Sequence, residues 1–147
     1  MTRRSLAVGI LLVLVAGSVG WLSAQGQGPA SVRDGVYTAD QSARGEAAYK
    51  ESCSSCHGDS LEGGGQAPPL SGSEFTSNWR DMTAWDLFNR IQMSMPADRP
   101  GQLSADQTAL IVSYLFKANG FPAGSKPLPA VEDGLKAIHI EAPAPGK

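Results

Sequence analysis

Five consecutive residues, Cys53-Ser54-Ser55-Cys56-His57, hold the most reactive chemistry in this 147-residue chain. In the spacing C-x-x-C-H, two thiols stand one helical turn apart and can add to the two vinyl groups of a porphyrin. The adjoining imidazole then lies beneath the iron. Once both thioethers have formed, His57 is held against the metal with little further loss of chain entropy, so a covalently attached haem c is the leading reading. Two other uses of a cysteine pair fit less well. A redox disulfide of the C-x-x-C kind belongs in a strand-helix-strand setting, whereas this pair is followed by Gly58, Gly63, Gly64, Gly65 and two prolines. A structural zinc site wants four ligands. Outside the motif the chain offers no cysteine and a single histidine, His139.

A metal-bound histidine donates its second ring N–H to a carbonyl or carboxylate, which fixes the ring and raises its basicity. In the stretch Ala67-Pro68-Pro69-Leu70 the Pro68 carbonyl is the candidate acceptor, with Leu70 against the ring; the competing reading is that the prolines only stiffen the loop. The sixth iron ligand would be a thioether or an imidazole, from Met82, Met93, Met95 or His139. Met95 is favoured. Pro96 excludes the helical conformation at the residue before it, so Met95 ends a helix and its side chain can leave a proline-bounded loop toward the other face of the iron. Met93, in the last helical turn, is expected to pack. With His57 and Met95 both bound, no coordination position is open to substrate, which favours electron transfer over catalysis. Phe75 and Trp79, four residues apart, are expected in the core at the haem edge, and the Trp79 indole N–H is a candidate donor to a haem propionate.

Three capping boxes place the helices that must hold these groups. Thr38 with Gln41 opens a first helix that runs to about Ser52, Thr83 with Asp86 opens one that stops before Pro96, and Ser104 with Gln107 opens one closed by Gly120. Gly45 and Tyr49 share a face of the first helix, and Ala118 with its neighbours is expected to cross there. The glycine-rich stretch from Gly58 to Gly72 reads as a loop. Near the end, Leu135 to Ile140 alternates, with Ile138 and Ile140 to one side and His139 to the other. This suggests an arm laid along the domain, with a disordered tail from Ala142.

Ahead of all this, Arg3 and Arg4 precede an apolar stretch within Ser5 to Ala24, and Leu22-Ser23-Ala24 offers a cleavage point. The segment reads as an export signal to the periplasm, with an uncleaved membrane anchor as the alternative. The formal charge is −2 and becomes more negative once the two arginines leave, which argues against nucleic-acid binding. The expected division is a signal peptide or N-terminal anchor at 1–24, a linker at 25–37, an all-α domain at 38–124 with three to four helices wrapped around one haem, and an arm and tail at 125–147.

With Cys53, Cys56, His57, Pro68, Leu70 and Met95 assembled, the chain resembles the class I mono-haem c-type cytochromes. Gly35-Val36-Tyr37-Thr38, Trp85-Asp86-Leu87-Phe88, Met95-Pro96 with Pro100-Gly101, and Asn119-Gly120-Phe121-Pro122 are similar to segments of the bacterial cytochromes found beside quinoprotein (PQQ) dehydrogenases. That resemblance implies thioethers at both cysteines, iron between His57 and Met95, and crossed N- and C-terminal helices. It also implies a carrier of single electrons from a donor such as a quinoprotein dehydrogenase to a terminal oxidase or another cytochrome. The rival functions are a haem c subunit fixed in a dehydrogenase complex and a five-coordinate haem sensor or peroxidase-like protein.

Overall fold

A computed structural model describes residues 30–65 and 67–141. The expected signal or anchor, the first residues of the linker and the tail from Ala142 lie outside the described residues. The domain is all-α. Its four longer helices are α1 (Ala39–Ser52), α3 (Gly72–Trp79), α4 (Ala84–Ser94) and α5 (Ala105–Ala118). Two short ones, α2 (Ser54–His57) and α6 (Glu132–Lys136), accompany a two-residue parallel pairing of β1 (Ala30–Ser31) with β2 (Ile138–His139). Among the described residues no helix is long and apolar enough to cross a membrane.

Two of the three capping boxes form in full, Thr83 with Asp86 and Ser104 with Gln107. The third forms by half. Thr38 accepts from the Gln41 N–H, but the Gln41 side chain turns inward to the backbone of Leu128, donating to its carbonyl at 3.0 Å and accepting from its N–H at 2.8 Å. Gln41 is buried, and a buried amide needs both its donor and its acceptor satisfied. The irregular segment at Leu128 passing beside the helix meets that need better than the exposed N-cap does.

The helix crossing is the frame of the fold, and α1 packs chiefly on α5. A Cβ built on Gly45 would overlap the Leu110 carbonyl oxygen and stand 3.0 Å from the Tyr114 Cβ, so only glycine lets the two backbones come this close. Tyr49 stacks at a tilt on Tyr114, with ring centroids 5.3 Å apart. The crossing point is thus at Leu110 and Tyr114, not at Ala118 as the sequence suggested: α5 continues past α1 toward the loop beyond it.

The expected linker also needs correction where it is described. Val32 and Tyr37 are fully buried, and the Tyr37 hydroxyl donates to the Phe121 carbonyl at 2.6 Å. Residues 30–37 are part of the packed domain. The C-terminal arm lies on it as expected, with Ile138 and Ile140 inward and His139 outward. Part of it is helical rather than extended, because Glu132–Lys136 closes one turn that buries Leu135.

Candidate haem site

α1 ends because Cys53 leaves helical geometry (φ −129°, ψ −32°), and a single turn, α2, follows at once. Within that turn the N–H groups of Cys56 and His57 both donate to the Cys53 carbonyl, at 3.1 and 3.0 Å. The Tyr49 hydroxyl donates to the Gly58 carbonyl at 2.6 Å, tying the motif back to α1. The chain then doubles back. Gly63 donates to the His57 carbonyl at 2.8 Å with φ +76°, and a Cβ there would stand 2.7 Å from the Pro69 nitrogen and 2.8 Å from the Pro68 carbonyl carbon. A side chain at this position would keep the returning prolines away from the imidazole.

That return delivers the expected contact: His57 Nδ1 lies 2.8 Å from the Pro68 carbonyl oxygen. A carbonyl can only accept, so Nδ1 carries the hydrogen, and in the neutral ring Nε2 keeps the lone pair that a metal requires. His57 is 8% exposed. The Cys53 thiol behaves unlike one poised for disulfide exchange. Burial, with a smaller contribution from neighbouring Cys56, pushes it up to about 11, whereas reactive C-x-x-C thiols are held low.

Cys53, Cys56, His57, Pro68, Leu70, Trp79 and Met95 all line one cavity of about 1200 Å³. Leu87, Ile91, Ile111 and Leu115 supply apolar wall from α4 and α5. The cavity exceeds the roughly 300–1,000 Å³ of ordinary small-ligand clefts, as a macrocycle demands. Two thiols on one rim, an oriented imidazole beside them and a thioether on the same wall system fit a covalently attached haem.

Of the four candidates for the sixth ligand, Met95 alone lines this cavity. Met93 is 68% exposed and Met82 40% exposed. His139 is exposed on the arm, where its backbone bridges Thr83. Met95 has the extended backbone that Pro96 was expected to impose (φ −122°, ψ 149°), and its N–H still closes α4 on the Ile91 carbonyl at 2.8 Å. Phe75 departs from expectation. It is buried in the core, with its ring centroid 6.4 Å from that of Trp79, and only Trp79 of the two reaches the cavity.

A family model described as "Cytochrome C oxidase, cbb3-type, subunit III" matches residues 40–115, just over half of the chain. The chain belongs to this family. It is a c-type cytochrome, an electron-transfer protein with a covalently bound haem c and its iron. No curated protein matches it. Among solved structures this cytochrome is similar to the sulfane dehydrogenase SoxCD from Paracoccus pantotrophus, at 31% identity and a TM-score of 0.44. The match covers 54% of this chain and 43% of that one, so the cytochrome spans less than half the length of the chain it matches.

Arg90 and Arg99 also line the cavity and were not singled out in the sequence. The helical period could have found Arg90, since Leu87, Arg90 and Ile91 fall on one face of α4. Asn119 had no such signal. At the end of a helix and before Gly120 it reads as a cap, yet its side chain bonds to Leu70 and Gly72, 49 and 47 residues earlier.

Proposed function

We propose that this cytochrome carries single electrons in the periplasm with its iron held between His57 and Met95. It takes them from a dehydrogenase, a quinoprotein enzyme being the candidate, and passes them to a respiratory acceptor such as a terminal oxidase or another cytochrome. The observation that carries the ligand assignment is the placement of Met95, which shares a cavity with His57 while Met82, Met93 and His139 lie outside its lining. Thioether ligation and an apolar wall both favour a high potential, and a filled coordination sphere leaves exchange of electrons as the work of the site. Encounters with partners should be small in area, because turnover requires release. The net negative charge steers the protein to basic surfaces, more strongly at low salt. Location rests on the N-terminal sequence: Arg3, Arg4 and the apolar run after them support export, with retention as an anchor if cleavage fails.

Met95→Ala is expected to abolish the far-red sulfur-to-iron charge-transfer band of the oxidised protein and to lower the potential by on the order of 100 mV. Met93→Ala should leave both in place. The reverse pattern would overturn the ligand assignment, and a high-spin spectrum in the unaltered protein would favour a five-coordinate sensor or peroxidase-like site. A second reading is supported by the family's description as an oxidase subunit: in it the same haem works fixed within a larger oxidoreductase. Isolation from membranes in stable association with a larger redox chain would favour that over a free carrier.

A further inference from the structure

We infer that Asn119 is a positioning residue for the iron-ligating imidazole, acting through the segment that supplies its hydrogen-bond acceptor. Asn119 caps the C-terminus of α5 and is buried. Its Nδ2 donates to the Leu70 carbonyl at 3.0 Å and to the Leu115 carbonyl at 2.9 Å, and its Oδ1 accepts from the Gly72 N–H at 3.0 Å. One side chain thus fastens both sides of Ser71 to the end of a main frame helix.

The geometry gives that fastening a consequence at His57. Pro68, whose carbonyl takes the Nδ1 hydrogen at 2.8 Å, lies two residues before Leu70. On its other side the loop is held where Ala67 and Gly64 exchange backbone bonds at 2.8 and 2.9 Å, and Leu70 is further anchored where its N–H donates to the Leu61 carbonyl at 2.9 Å. Pro68 and Pro69 have no N–H of their own, so neither can donate a backbone bond that would fix the acceptor locally. Their position is inherited from the anchors at Ala67 and Leu70, and Asn119 is the anchor that links them to α5. Partners of this kind set the orientation and basicity of a ligating histidine. A looser Pro68 carbonyl makes the imidazole a weaker donor, which favours the reduced iron.

The inference rests on His57 as the iron ligand, and its test separates the two claims. In the haem-loaded protein, the exchange of the His57 Nδ1 hydrogen with solvent and the midpoint potential are measured for Asn119→Ala, Asn119→Asp and Gln41→Ala. The aspartate keeps an acceptor for the Gly72 N–H but cannot donate to Leu70 when ionised. Gln41→Ala removes an equally buried amide that ties Leu128 instead, and so controls for a general loss of stability. Both Asn119 variants should speed Nδ1 exchange about tenfold, the scale of one lost hydrogen bond, and shift the potential upward. Gln41→Ala should do neither. Exchange and potential that move no more in the Asn119 variants than in Gln41→Ala would overturn the positioning role. If His57 were not the ligand, the unaltered protein itself would lack the spectrum of a histidine-ligated low-spin haem, whatever the variants did.

Discussion

The rim that carries Cys53, Cys56, His57 and Pro68 is made from one continuous stretch of chain, closed on itself by bonds between near neighbours. Cys56 and His57 donate to Cys53, Gly63 to His57, and His57 to Pro68. The wall that carries Met95 is assembled differently. Met95 stands at the end of α4, and the other end of that helix is held by the C-terminal arm, where the Asp81 N–H donates to the Ile140 carbonyl at 2.9 Å and the Ile140 N–H to the Met82 carbonyl at 2.8 Å. Of the two proposed ligands, His57 is placed mainly by local chain geometry and covalent attachment, with Asn119 adding one long-range tie to the segment of its acceptor. The other is placed by a rigid helix whose footing comes from nearly sixty residues downstream. The first arrangement is expected to survive disturbance of the tertiary structure and the second to fail with it.

The largest effect that would test this contrast is loss of the attachment itself. Replacing Cys53 and Cys56 together by alanine should release the haem when the protein is denatured, read as loss of haem signal on a denaturing gel. Met95→Ala should retain the full signal under the same conditions, because thioethers do not depend on the iron's axial bond. Haem lost equally from both variants would break the distinction between the two walls.

A smaller disturbance sharpens it. Ile140 is 1% exposed, and Ile140→Ala should cost about 2–5 kcal/mol of stability through lost burial and the cavity left behind. The contrast predicts where the loss appears first. During a denaturant titration of this variant, the sulfur-to-iron band should disappear at a lower concentration than the His57 signature does, and the gap between the two transitions should be wider than in the unaltered protein. A single coincident transition in both proteins would mean that the arm supports both walls alike.

The same contrast explains what could be read from the sequence. Cys53, Cys56, His57, Pro68 and Leu70 were legible because their chemistry depends on spacing over a short span, and Met95 because Pro96 constrains the backbone just before it. Thr83 with Asp86 and Ser104 with Gln107 announced their helices for the same reason. Long-range partners were not legible. Gln41 has the spacing of a capping residue but is taken by Leu128, 87 residues away, since burial outweighs an exposed N-cap bond. Gly45 correctly marked a close approach, but the helical register that puts Leu110 and Tyr114 there, rather than Ala118, depends on how the whole of α5 is docked. Val32 and Tyr37 sit in a segment whose composition suggests a linker, and only their burial against distant chain shows otherwise.

The smallest expected effect lies at the footing of α4, in the Thr83–Asp86 box. Asp86 Oδ2 accepts from the Thr83 N–H at 2.8 Å and from the Thr83 hydroxyl at 2.7 Å, and these bonds hold the Asp86 carboxyl below its usual range. Because the folded protein binds the proton less readily than the unfolded chain does, the contribution is fully present above the unfolded value, near 4, and is lost as pH falls through the lower folded value. Asp86→Asn keeps an acceptor for the Thr83 N–H while removing the charge that favours a helix N-terminus. At neutral pH the variant should therefore be less stable than the unaltered protein by roughly 0.5–1 kcal/mol. The gap between the denaturant midpoints should begin to narrow as pH falls below about 4, since a protonated Asp86 has lost the same charge. A difference that stayed constant with pH would assign the stabilisation to packing at the helix start, and the electrostatic part of this footing would then be absent.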